Sequence, residues 1–224
     1  MEWRKESSQE ITDPLAAQGL TFLNAIPSRK GDPVVFDHDE GYRTDASMET
    51  LGKLAPIDLR RDPQAIVTAG NASQQNDAAA ACLVVAEDKL EELGLTPMLW
   101  FGGWAAAGCD PSRMGIGPVP AVERLFERRG YSWDDIGMVE LNEAFAPQVL
   151  AVLKGWGWSA DDSRREILNV NGSGISLGHP IGATGGRILA DMAHEMHRRG
   201  VRYGLETMCI GGGQGIAAVF ERAE

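Results

Sequence analysis

Cationic side chains are in short supply. The 224 residues carry 21 Lys and Arg against 32 Asp and Glu, a net charge of −11. That balance argues against nucleic acid or an anionic membrane as the main partner. A small anionic ligand is still allowed, because it needs only a local basic group. Long apolar runs are also missing. None reaches the roughly 18 residues of a membrane-spanning helix, and the opening MEWRKESSQE has no apolar signal-peptide core. Cysteine is scarce, with Cys82, Cys109 and Cys209 an odd number at wide spacing. Such a set is neither a disulfide framework nor a zinc site, and it points to a reducing compartment, the cytoplasm by default. Histidine is nearly as rare. His194 and His197 lie three apart with no third ligand at metal-site spacing, so no metal is expected.

What remains is an ordinary globular composition, 43% hydrophobic and 24% charged. Its length suits one large domain or two small ones. Residues 1–67 are polar with scattered proline and glycine, and read as an appended lobe. The pattern allows a helix within 2–18 broken at Pro14, a short strand at 34–36, and a helix over 48–54 ending before Pro56. The composition changes at Ile66, and 68–224 reads as the main domain. Its unbroken small and apolar run over 78–86 predicts a strand buried on both faces. Helices follow over 87–93 and 119–129, each with glycine just past its end, then a strand over 138–141 and a helix over 147–153. A last helix starts near Ala183, and strands close the chain at 203–208 and 215–220. The order is that of a layered α/β domain.

The chemistry gathers in three places. The stretch NVNGSGISLGHPIGATGGR, from Asn169 to Arg187, holds six glycines and so lets backbone approach a ligand or another backbone closely. His179 is pinned in it between Gly178 and Pro180, on a stiff turn. Ile188, Leu189, Met192, Ala193 and Met196 then repeat at helical period. The glycines at 182–186 lack the Lys-Ser/Thr of a phosphate loop, which argues against nucleotide hydrolysis. Cys209 stands at the end of a strand before Gly211, Gly212 and Gly213, whose bare N–H groups are candidate oxyanion donors. As a lone cysteine it also suits a core position, and its reactivity depends on a nearby base. Asn142 follows a strand and can donate to an oxygen or act as a helix N-cap, with Glu143 holding the turn.

The motifs NEAFA, GHPIGATGG and CIGGGQG, in that order and spacing, resemble the thiolases, the acetyl-CoA C-acyltransferases. The likeness extends through TAGNAS–ND and DPSRMGIGPVPAV, and more weakly into residues 1–67. It implies a layered thiolase-like α/β fold, C-terminal half only, with a partial CoA-contacting loop lobe. It also implies a transferase acting on acetyl-CoA or 3-ketoacyl-CoA, by thiolysis or Claisen condensation, in fatty acid metabolism. CoA would serve as substrate or product, with no further cofactor. His179 would hydrogen-bond the thioester oxygen and activate a nucleophilic cysteine. Asn142 would hold a water in the same oxyanion hole, Cys209 would move the α-proton, and the Gly211 amide would serve the second hole. Ser73 would lie near the pantetheine arm and Arg43 near the adenosine part of CoA, with Ala144 and Phe145 beside the substrate. A positioned base and a stabilised enolate oxygen are what a weakly acidic thioester α-proton requires.

Two departures qualify this. The family's nucleophilic cysteine lies in an N-terminal half that the resemblance does not reach, and Cys82 and Cys109 do not match its motif. NASQQND carries Gln74 and Gln75 where the family has glycine and an apolar residue. The expectation is an acyltransferase whose nucleophile comes from a separate or missing N-terminal half, assembled as a homo-oligomer or with that half. The alternative is a non-catalytic remnant that binds CoA or a thiolase-like partner.

Overall fold

A computed structural model describes residues 25–26, 34–35, 41 and 43–224, and the chain divides into two units, Met1–Leu54 and Ala55–Glu224. In the first, β1 (Ala25–Ile26) pairs antiparallel with β2 (Val34–Val35). The expected helix within 2–18 lies outside the described residues. Helix α1 (Met48–Gly52) forms as expected, capped by the Ser47 hydroxyl, which accepts the Thr50 N–H at 3.1 Å.

The second unit is built on a four-stranded sheet of order β3-β6-β5-β4. The strands are β3 (Leu99–Gly108), β4 (Met138–Leu141), β5 (Tyr203–Ile210) and β6 (Gln214–Arg222). Only β4 and β5 run parallel, and the other pairings are antiparallel. A short helix α2 (Leu90–Leu93) precedes β3, continuing a 3-10 turn at Glu87–Lys89 and stopping at left-handed Gly94. Helix α3 (Pro118–Arg129) starts with proline in its first turn and ends at left-handed Gly130. Its Ala121, Val122 and Leu125 pack with Ala105, Val139, Leu205, Ala217 and Val219 on one face of the sheet.

Helix α4 (Ala146–Gly155) follows β4, and the single turn α5 (Gly174–Leu177) precedes the long α6 (Thr184–Arg199). From α6, Met192 and Met196 pack with Met138 against the opposite face, while Ile188 is fully buried. Helices on both faces of a mixed sheet make this the layered α/β arrangement that the sequence pattern predicts. Burying one such core side chain stabilises by about 1.5–3 kcal/mol. Beside α3, Trp133, Trp156 and Trp158 pack with tilted or edge-on rings, centroids 4.9 to 5.3 Å apart, and Arg164 lies over Trp158.

One expectation fails. Residues 78–86 form no strand, and Leu83 and Val84 are 81% and 92% exposed. A strand exists only where a neighbour completes its hydrogen-bond ladder. In the described sheet β3 pairs only with β6, and no strand pairs with 78–86.

Candidate functional site

The parallel pairing of β4 with β5 sets the site's geometry. Asn142 is the residue after β4, and its N–H donates to the Thr207 carbonyl of β5 at 3.1 Å. Cys209, two residues further along β5, lies near the same end of the sheet and is still paired with Gly215 of β6. The strand runs one residue past it, to Ile210. Gly211 and Gly212 turn the chain in the open, and the turn is tied down where Cys109 N–H donates to the Gly213 carbonyl at 2.8 Å.

Asn142 does not cap a helix, since the cap of α4 is Phe145. Its side chain is 1% exposed, with Nδ2 3.4 Å from Nε2 of His179 and Oδ1 buried without a partner among the described residues. The other ring nitrogen, Nδ1, sits 2.7 Å from the hydroxyl of Thr184, the first residue of α6, which is fully buried. The His179 N–H donates to the Gln74 carbonyl at 3.0 Å. Gly178 before it has φ +95° and packs against the Asn76 amide, where any Cβ would collide.

The strap 71–76 thereby runs along the site. Ser73 N–H donates to the Ala144 carbonyl at 2.9 Å, and Ala72 bridges to Phe145. Ser73, Ala144 and Phe145 are thus brought together next to Asn142. Residues 75–80 and 179–183 line a cleft of about 560 Å³. Arg43 lies in the first unit, exposed and 3.8 Å from Asp45.

Burial, and then the charge of Arg187, hold His179 below the usual imidazole range, so its neutral form dominates at neutral pH. Burial pushes the Cys209 thiol up, and the neighbouring Cys109 adds to the rise. Cys82 is exposed, and Cys109 Sγ points toward the Arg113 and Met114 carbonyls at 3.9 Å.

Three supporting residues, Thr184, Asn169 and Asn76, show their role only in the structure. Thr184 was hidden as an ordinary helix start. Asn169, at φ 47°, accepts the Leu141 N–H at 2.8 Å and donates to the Leu141 carbonyl and to Glu143, both at 2.9 Å. The signal for it was its place at the head of the glycine-rich stretch. Glu143 also accepts the Ile175 N–H at 3.4 Å, so it does hold the turn. Asn76 appeared only as part of the NASQQND run. His197, by contrast, contacts the Met98 carbonyl at 2.8 Å, and no metal-ligating cluster exists among the described residues.

The family pattern "Thiolase, C-terminal domain" matches residues 95–222, and "Thiolase, N-terminal domain" matches residues 16–88. An acetyl-CoA acetyltransferase of Chromobacterium violaceum is 49% identical over 197 residues, 88% of this chain and 48% of that protein. Beta-ketothiolase BktB of Cupriavidus necator is 50% identical over 194 residues, 87% of this chain and 47% of that one. Among solved structures, a Bacillus anthracis acetyl-CoA acetyltransferase superposes with a TM-score of 0.80 at 40% identity, covering 98% of this chain and 53% of the other. Human mitochondrial 3-ketoacyl-CoA thiolase in complex with CoA gives 0.72 at 36%, covering 100% and 55%. The chain spans about half the length of the curated relatives it matches. With a family pattern matching more than half of its residues, and with that fold, the chain belongs to the thiolase family.

Proposed function

We propose that the chain carries the proton-transfer and oxyanion half of a thiolase-type acyltransferase acting on acetyl-CoA or a 3-ketoacyl-CoA. The observation that carries this is the Asn142–His179 contact at 3.4 Å, near the end of the sheet where Cys209 lies and the Gly211–Gly213 turn follows. In this reading His179 donates to the thioester oxygen once Nε2 has taken up a proton, and the Asn142 amide holds a water in the same oxyanion hole. Cys209 gives or takes the α-proton, and the Gly211 N–H steadies the second oxyanion. Ser73, Ala144 and Phe145 hold the acyl-pantetheine arm, and Arg43 in the lobe 1–67 meets the adenosine end. The domain 68–224 holds the chemistry.

The nucleophile comes from a cysteine outside these 224 residues, in a thiolase N-terminal half. That assignment is supported by where the other cysteines lie, Cys82 in an exposed coil and Cys109 turned toward backbone carbonyls. Acetoacetyl-CoA thiolysis tests the reading. The chain alone is expected to show no turnover, and mixing with a thiolase N-terminal half to give turnover that His179→Ala and Cys209→Ala each abolish. Restored turnover that survives Cys209→Ala unchanged sinks the proton-transfer role. CoA binding without turnover in any mixture would favour a non-catalytic CoA-binding remnant.

A further inference from the structure

His179 is gripped at both ring nitrogens, and the two partners differ in kind. The Asn142 Nδ2 at Nε2 is a donor only, whereas the Thr184 hydroxyl at Nδ1 can donate or accept. A neutral imidazole has one donor nitrogen and one acceptor. A donor at Nε2 therefore assigns the proton to Nδ1, leaving the Thr184 oxygen as its acceptor. We infer that Thr184 is a positioning residue for His179: its hydroxyl accepts the Nδ1–H and, together with the Asn142 donor at the other nitrogen, holds the tautomer that leaves Nε2 as the acceptor.

Three features support a built arrangement. The contact at 2.7 Å is short for a neutral pair. Thr184 is wholly buried at the start of α6, so no bulk water competes for its oxygen. The ring itself is held at the backbone, where the His179 N–H donates to Gln74 and Pro180 follows. Arg187 is the charged group that bears on the ring, one helical turn along α6. Its own carboxylate partner is Asp191, 2.8 Å away. Among the described residues the ring nitrogens meet the Thr184 hydroxyl and the Asn142 amide, so the orienting partner at Nδ1 is a neutral hydroxyl.

The inference rests on the proposed function only for its consequence. With Nε2 as acceptor, His179 takes the proton of an attacking thiol as the S–H bond breaks and an N–H bond forms. The ring becomes imidazolium and the Nδ1–H···Oγ1 bond becomes charge-assisted. The same proton returns when the thiolate leaves. The opposite tautomer would offer Nε2–H to the thiol and could not accept its proton.

Nitrogen-15 spectra of histidine-labelled chain decide the matter without any turnover. At pH 8 the wild-type His179 is expected to show a protonated Nδ1 and a bare Nε2. Thr184→Val, nearly the same shape without the hydroxyl, should shift the population toward the Nε2–H form and lower the titration midpoint of the ring. Thr184→Ser should restore both. In the mixed thiolysis assay the valine variant is expected to lose roughly tenfold or more in kcat with little change in KM, with the acid limb of its pH profile displaced downward, and serine should recover it. A wild-type ring protonated at Nε2 overturns the assignment, as does a valine variant with an unchanged tautomer. Absence of turnover in every mixture would count against the acyltransferase reading and leave the spectra to judge Thr184.

Discussion

Glu206 offers a sharp stability test. It sits on β5 in register with Glu140 of β4, so the two carboxyl groups share one face of adjacent strands, at 9% and 1% exposure. Across from them α6 brings Arg187, with Asp191 and His194 beyond it, and Glu143 lies at the end of β4. Neither Glu140 oxygen has a hydrogen-bond partner among the described residues. Burial raises Glu206 from 4.5 to about 7, with Arg187 offsetting part of the rise, and drives Glu140 well up as well. In the unfolded chain Glu206 ionises near its ordinary value, while the folded protein holds its proton until about pH 7. Folding therefore binds protons between roughly pH 4.5 and 7, and stability is lost as pH climbs through that window. The full penalty above it is ~3 kcal/mol, since each tenfold change in proton affinity is about 1.4 kcal/mol. Glu206→Gln keeps the shape and removes the titration. The variant is expected to gain ~2–3 kcal/mol over wild type at pH 8 and next to nothing at pH 4.5. Urea unfolding followed by tryptophan fluorescence at four pH values measures this directly. A difference that stays flat from pH 4.5 to 8, or a variant weaker than wild type at pH 8, would refute the reasoning.

Two further predictions concern the scaffold of the site. Asn169→Ala strips the amide that serves both backbone groups of Leu141 and strains a φ of 47°, so it should cost ~2–4 kcal/mol in the same urea assay; a loss under 1 kcal/mol would show that those bonds are replaced. Gly178→Ala must push aside the Asn76 amide at a φ of +95°, and should cost ~1–3 kcal/mol and move the His179 ring signals. Unmoved signals would mean that the turn does not depend on that close approach.

Much of this was legible in the sequence where local pattern and tertiary structure agree. Helices α3 and α6 announce themselves by apolar period and by Gly130 and Gly200 past their ends, and both glycines are left-handed in the structure. Asn142 and His179 were paired only by the family resemblance of their motifs, and the structure brings their side chains to 3.4 Å. Residues 78–86 misled because an apolar run encodes a preference for burial but not the presence of a pairing neighbour. Glu140 and Glu206 escaped notice for the opposite reason. A charged residue in a strand reads as solvent-facing, and only the register of β4 on β5 shows two carboxyls turned inward together. Thr184 was invisible because its value lies in what its hydroxyl touches five residues back.

The β4–β5 ladder has a mechanical consequence. Backbone hydrogen bonds fix Asn142 against Thr207, so the spacing between Asn142 and Cys209 is set by the sheet itself, as on a ruler. The strap at residues 71–76 lies outside that ladder, tied to the site through Ala144, Phe145 and His179, and can be re-lettered without moving the ruler. The marks on the ruler cannot move singly, because a one-residue slip of β4 would turn Glu140 away from Arg187 and onto the apolar face packed by α3.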